Sequence, residues 1–98
     1  MKYKFISEMW LYSTENAAWH FITVPKKESE DIKKKFGVPR RGWGSIRVSV
    51  TIGKTTWETS IFPDKRLGAY VLPVKSVVRE KEKLRAGWKV NMQLRVRG

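Results

Sequence analysis

The side chains that could act as acids, bases or nucleophiles are few in this sequence. General acid–base catalysis needs two carboxyl groups, or a histidine with an orienting partner, in one pocket. The chain has one histidine, His20, nine acidic residues and no cysteine, which excludes disulfides, thiol catalysis and cysteine-based metal sites. No acid stands at a useful spacing from His20, and no GxSxG, Walker or GxGxxG motif is present. We therefore expect no enzyme, no cofactor and no metal site, and a packed or surface role for His20.

Positive charge is concentrated in two blocks. The net charge is +12 and the isoelectric point is about 10.3, with +5 in residues 26–47 and +6 in residues 75–98. Clustered basic charge is typical of a phosphate-binding surface, and the sequence RRGWG adds a tryptophan that could stack on a base. The candidate nucleic-acid-binding residues are Lys33, Lys34, Arg40, Arg41, Trp43, Arg47, Lys75, Arg79 and Arg85.

The same charge has a second interpretation. Lysine-rich short helices are ordinary solvated surfaces, and lysines improve solubility and protect strand edges. Trp43 and Trp88 would then close the ends of the core as packed aromatic residues. In that case the domain binds a protein or a small ligand. The nucleic-acid interpretation requires both basic blocks to line one face, and it loses support if they lie opposite each other.

The elements that must position these residues are strands and short helices. Apolar and polar residues alternate over residues 46–52 and 88–96, which predicts two half-buried strands. A Gly-Lys turn and renewed alternation after the first strand predict a β-hairpin over residues 46–62. Three further strands are predicted, over residues 3–12, 19–24 and 69–74.

Two short helices complete the pattern. Ser29 is expected to cap a helix over residues 30–36, because a serine hydroxyl can accept hydrogen bonds from the first free N–H groups. Ser76 is expected to cap a second helix over residues 77–84, with Val77 on its buried face. Short helices depend on packing against a sheet for their stability.

The order strand, strand, helix, strand therefore occurs twice within a single domain of 98 residues. This order indicates two tandem repeats, of about residues 1–52 and 53–98. The repeats align on Pro25 with Pro73, and on the two Gly-Trp pairs that contain Trp43 and Trp88. Alignment on the tryptophans leaves the following strands one residue out of phase, which a β-bulge would absorb.

The second repeat resembles a known core. The segment GAYVLPVKSVVREKEKLRAGWKV, residues 68–90, is similar to AbrB-type proteins, in which a strand ending in proline leads to a short helix, a glycine and an alternating strand. From about Phe5 to Val96 the chain resembles the DUF1905 family of bacterial and archaeal domains of unknown function, mainly through LPVKSVVR and GWKVNMQL. Trp88 departs from the AbrB pattern, which usually has an acid there, and this departure puts an AbrB-like function in doubt.

The resemblance implies a mainly β fold with two short helices. That fold is a six-stranded double-split β-barrel, formed by two tandem β-β-α-β repeats with pseudo-twofold symmetry, and family members often lie beside YdeI/OmpD-associated domains. No apolar stretch approaches the ~18 residues that span a bilayer, and the N-terminus lacks the apolar region of a signal peptide. We expect a cytoplasmic, non-enzymatic binding module, monomeric or homodimeric, whose partner is nucleic acid or a protein and not a membrane.

Overall fold

The computed structural model describes residues 2–37 and 44–97. Over these residues the chain forms six strands and two helices in the predicted order. The elements are β1 (Lys2–Ser13), β2 (Ala18–Thr23), α1 (Lys26–Phe36), β3 (Ile46–Ile52), β4 (Thr55–Asp64), β5 (Ala69–Pro73), α2 (Ser76–Glu82) and β6 (Lys89–Val96).

The strands close into one barrel in the order β1-β2-β5-β4-β3-β6, and every neighbouring pair is antiparallel. The prediction of a mainly β, six-stranded barrel with two helices is therefore confirmed. Exchanging β1 with β4, β2 with β5 and β3 with β6 leaves every pairing in place. This invariance is consistent with two tandem repeats related by a pseudo-twofold axis.

Backbone hydrogen bonds identify which residues of the two halves are equivalent. The Val24 N–H donates to the carbonyl of Tyr70 at 2.9 Å, and the Val74 N–H donates to the carbonyl of His20 at 2.8 Å. Val24 therefore corresponds to Val74, and His20 corresponds to Tyr70. Both bonds flank the centre of the β2–β5 ladder, where the pseudo-twofold axis passes.

This equivalence corrects the alignment made on the prolines. Pro25 directly precedes α1, and Lys75 directly precedes α2. These two residues are the equivalent pair, because each directly follows one of the two matched valines. Pro73 instead ends β5. The two prolines match in sequence because proline is common next to helix starts.

The alignment made on the tryptophans is also wrong. Phe5 pairs with Met92 in the β1–β6 ladder, as Trp57 pairs with Val50 in the β4–β3 ladder. Met92 therefore corresponds to Val50. The preceding buried residue of β6, two positions before Met92, likewise corresponds to the preceding buried residue of β3, two positions before Val50. The buried faces of β3 and β6 are in phase, and no bulge is needed between the repeats.

The interior of the barrel is filled by apolar side chains from all six strands. They follow the predicted alternation, and those with no exposed surface are Met9, Ile22, Val48, Val50, Ile61, Leu72 and Leu94. Trp88 does not close this core, because 54% of its surface is exposed. Its carbonyl accepts the N–H of Met9 at 3.0 Å, at the end of the β1–β6 ladder.

The predicted helix caps are wrong, and both helices start earlier than expected. α1 begins at Lys26, so Ser29 lies inside the helix, and α2 begins at Ser76. Neither helix has a side-chain cap. Val78 and not Val77 faces the core, and 53% of the Val77 surface is exposed.

Ser29 attaches α1 to the barrel instead of capping it. Its hydroxyl donates to the carbonyl of Val24 at 2.9 Å and accepts the N–H of Tyr70 at 3.0 Å. The residue is 3% exposed, so both bonds are shielded from water. A buried hydroxyl with both partners satisfied stabilises the fold, and its removal leaves polar groups without compensation.

We expect Ser29→Ala to lower the free energy of unfolding by about 1–3 kcal/mol, since it removes both buried bonds. Urea denaturation followed by tryptophan fluorescence measures this loss. Ser76→Ala is the matched control, because Ser76 is exposed and caps nothing, and its effect should stay within about 0.5 kcal/mol. Equal losses in the two variants would contradict the assigned role of Ser29.

Candidate functional site

The antiparallel pairing places the two helices at opposite ends of the barrel. α1 leaves the end of β2 and α2 leaves the end of β5, and these neighbouring strands run in opposite directions. Lys33 and Lys34 on α1 are therefore at one end, and Lys75, Arg79 and Arg85 around α2 are at the other. The expectation that both basic blocks line one face does not hold for the residues of the helices.

Arg79 is turned towards the barrel. Its Nε donates to the carbonyl of Val74 at 3.3 Å, and its Nη1 lies 3.5 Å from Nε2 of His20. By the equivalence of the two halves, Arg79 occupies the position of Ser29 and bonds the equivalent carbonyl. Arg79 therefore attaches α2 to the barrel through Nε and Nη1, and its role as a phosphate ligand stays a prediction.

His20 lies under α2 as a neutral group. Burial, followed by the positive charge of Arg79, lowers the pKa of His20 below its ordinary value of 6.5. Its Nδ1 is buried and has no hydrogen-bond partner among the described residues. Within those residues no acidic side chain bonds this ring, which lies beside Arg79 of α2.

Two further candidate residues, one near each helix, lie beside an aromatic ring or beside acidic side chains. The Arg85 guanidinium lies 6.0 Å from the ring centroid of Trp88, a cation–π distance. Lys34 lines an open groove of about 360 Å³ beside α1. Because three acids and two lysines of α1 line that groove, it has no net attraction for phosphate.

Asp31 offsets part of the positive charge of the α1 lysines. It accepts a hydrogen bond from the hydroxyl of Tyr3 at 2.7 Å and pairs with Lys35 at 3.2 Å. The bonds from Tyr3 and Lys35 lower the pKa of Asp31. Burial, together with the bond to Asp31, raises the pKa of Tyr3 to about 12. This contact attaches α1 to the start of β1.

The candidates Arg40, Arg41 and Trp43 lie outside the described residues. Their proposed role, a stacking tryptophan between two arginines, stays a prediction from the sequence.

A concentrated basic surface lies on the outer side of β1, β6 and β3. Lys2 pairs with Arg95 across β1 and β6, and Arg95 pairs with Ser49 across β6 and β3. The Arg97 N–H donates to the carbonyl of Arg47 at 2.9 Å, which continues the same ladder. Directly paired residues on one face have Cβ atoms about 5 Å apart. We call this surface the basic face; its members are Lys2, Lys4, Arg47, Arg95 and Arg97.

One acid lies beside the basic face. Glu58 on β4 forms two ion pairs, one through each carboxylate oxygen. One is with Arg47 at 3.9 Å, and the other is with Arg97 at 3.6 Å. These side chains are more than half exposed, and exposed ion pairs contribute little. Within residues 2–37 and 44–97, no acid lies at ion-pair distance from Lys2, Lys4 or Arg95. The face therefore keeps a net positive charge.

Of the basic face, only Arg47 was among the site residues predicted from the sequence. Lys2 and Lys4 alternate with buried residues of β1, and this alternation shows that they face outward. It does not show which strand lies next to β1. Only the β1–β6 and β6–β3 pairings bring the two chain ends and Arg47 together.

Among the residues that the structure describes, no three histidine, aspartate or glutamate side chains are close enough to hold a metal ion. No helix in the same ranges is both long enough and apolar enough to cross a membrane.

Six strands closed around a filled interior, with one short helix at each end, define a small β-barrel domain. The family model of DUF1905, a domain of unknown function, matches residues 5–94. The chain therefore belongs to the DUF1905 family, as its resemblance indicated. No curated protein matches the chain.

Protonation of His20 should destabilise the fold. Because its pKa is lowered in the folded state, the unfolded chain binds the proton first as the pH falls. The stabilisation is fully present above the ordinary value of 6.5 and is lost as the pH falls towards the folded-state pKa. Urea unfolding at about pH 7.5 and about pH 5.5 should show this loss.

His20→Gln is the comparison variant, since it removes the titrating group and keeps every carboxylate. Its free energy of unfolding should change less between the two pH values. An identical pH dependence in wild type and variant would show that other groups cause it.

Proposed function

We propose that this domain is a non-enzymatic module that binds nucleic acid through the phosphate backbone, and that the basic face is its contact surface. The observation that carries the proposal is the adjacent register of five basic side chains, drawn from three strands, beside a single acid. A net charge of +12 adds long-range attraction for a polyanion.

Polar side chains between the basic ones favour the phosphate backbone of a nucleic acid as the ligand. Ser49, Thr51 and Gln93 lie on the same outer face, and Thr51 pairs with Gln93. Hydroxyl and amide groups donate to phosphate oxygens and fix the position of the backbone without reading its sequence. The proposed binding is therefore insensitive to sequence, for DNA or RNA.

The positions of the carboxylates support a non-enzymatic role. Glu82 accepts the hydroxyl of Thr55 at 2.6 Å and the N–H of Lys54 at 3.3 Å, which attaches α2 to the β3–β4 turn. Asp31 is bound by Tyr3 and Lys35. These two acids therefore hold elements of the fold together, and Asp31 is bound in this way although it lines the groove beside α1.

The test is a titration of a labelled, mixed-sequence single-stranded oligonucleotide at several salt concentrations, followed by fluorescence anisotropy. The logarithm of the affinity should fall linearly with the logarithm of the salt concentration. The double variant Lys4→Gln/Arg95→Gln should bind more weakly, because fewer side chains neutralise phosphates. Its slope should be smaller by about 0.7 for each phosphate that is no longer neutralised.

The control is Lys75→Gln/Lys81→Gln, which removes the same charge from exposed positions at the opposite end, around α2. Its slope should stay close to that of the wild type. Equal effects of the two variants would show diffuse attraction without a defined face. A complete lack of binding at low salt would overturn the proposal.

The alternative is a protein-binding module whose charge serves solubility. A small ligand inside the barrel is not favoured, because fully buried side chains fill the interior. A protein partner is favoured by a second surface, on the β1–β2 ladder.

A further inference from the structure

Four aromatic side chains cover the outer side of β1 and β2. Trp10 pairs with Phe21 and Tyr12 pairs with Trp19 across the two strands. The Trp10 and Phe21 ring centroids are 5.1 Å apart, and the Trp19 and Phe21 rings are nearly parallel at 6.2 Å. Trp19 is 53% exposed. We call Trp10, Tyr12, Trp19 and Phe21 the aromatic face.

The second half of the barrel shows that the fold does not need the rings of Tyr12 and Trp19. Tyr12 pairs with Trp19 as Asp64 pairs with Ala69, at equivalent positions of the β1–β2 and β4–β5 hairpins. Asp64 and Ala69 therefore occupy the backbone positions that Tyr12 and Trp19 occupy in the first half. Exposing a tryptophan where alanine suffices indicates a role in binding, because large exposed apolar patches mark interaction sites.

The charge around the aromatic face disfavours a nucleic acid there. Residues 9–23, which include β2 and the part of β1 that pairs with it, contain one acid and no lysine or arginine. Single-stranded nucleic acid binds where aromatic rings and basic residues share one groove. Here the rings lie on the β1–β2 ladder, whereas the basic face lies on the ladders of β6 with β1 and β3. The rings and the basic side chains therefore do not share one groove, which favours a protein partner.

We propose that the aromatic face is a homodimer interface and that its partner is the aromatic face of a second copy of this chain. The face is acidic at one corner and basic at the opposite one. Glu15 lies in the β1–β2 turn at one end of the barrel, and Lys65 and Arg66 lie in the β4–β5 turn at the other. Asp64 pairs with Arg66 at 3.5 Å, so Lys65 supplies the net positive charge of that corner. A twofold axis in the plane of the interface brings each acidic turn opposite the basic turn of the other copy, as a self-complementary contact requires.

The available apolar area approaches that of a standard interface. Tyr12, Trp19 and Phe62 lie on this side of the barrel and are each 39–53% exposed. With the partly exposed Trp10 and Phe21, they offer on the order of 400 Å² of apolar surface. A stable dimer buries about 800 Å² per partner, of which about 65% is apolar. The basic face stays accessible, because it lies on the ladders of β6 with β1 and β3.

Sedimentation velocity over about 1–100 µM protein tests the proposal, since interfaces of this size dissociate at micromolar concentration or below. Trp19→Ala introduces the residue that the equivalent position 69 already carries, so the fold is retained. Removal of a central tryptophan should weaken dimerisation by roughly 30-fold or more. The control is Trp88→Ala, since Trp88 is equally exposed at 54% and lies off this face; it should leave the dimer unchanged.

A charge exchange tests the orientation of the two copies. Glu15→Lys and Lys65→Glu should each weaken the dimer several-fold, and the double variant should restore it. Failure of the double variant to restore the dimer would overturn the arrangement. A monomer throughout the concentration range, or a dimer unaffected by Trp19→Ala, would overturn the interface. An oligonucleotide too short to reach two basic faces should bind Trp19→Ala as it binds the wild type, and loss of that binding would identify the face as a base-stacking surface and overturn the proposal.

Discussion

Closure of the barrel with every neighbouring pair antiparallel is the constraint on which the other features depend. In the order β1-β2-β5-β4-β3-β6, β2 lies diametrically opposite β3, and β5 lies diametrically opposite β6. The connections that contain α1 and α2 must therefore cross the mouth of the barrel from one side to the other. Each helix covers one end of the core, where Ile32 and Val78 complete the packing.

The two halves attach these helices by different chemistry at equivalent positions. Ser29 makes two neutral hydrogen bonds, to the Val24 carbonyl and the Tyr70 N–H, whereas Arg79 bonds the Val74 carbonyl and lies beside His20. The second arrangement places a cation beside a buried imidazole, which lowers the pKa of that imidazole. Features that the two halves share are thus requirements of the fold, and features in which the halves differ are particular to one half. A position where the halves differ without structural need, such as 19 and 69, is a candidate for function.

Local patterns predicted the strands, because alternation depends only on which side of a strand faces the core. The helix caps failed because the Ser29 hydroxyl is bonded by the Tyr70 N–H, a group 41 residues away, which no local pattern contains. The candidate site was only partly predictable for the same reason. The prediction grouped basic residues by their position along the chain and so combined residues from opposite ends of the barrel. Strand pairing instead brings Lys2 beside Arg95, and the bond from the Arg97 N–H to the Arg47 carbonyl brings Arg47 beside the end of β6.

β1 connects the two surfaces. Its first part pairs with β6 and carries Lys2 and Lys4 outward, and its second part pairs with β2 and carries Trp10 and Tyr12 outward. One strand of 12 residues therefore contributes to both the basic face and the aromatic face. Contact through the aromatic faces leaves the two basic faces directed away from the interface. A nucleic acid long enough to reach both would then bind the second face at a high effective concentration, so that two weak surfaces act as one stronger one.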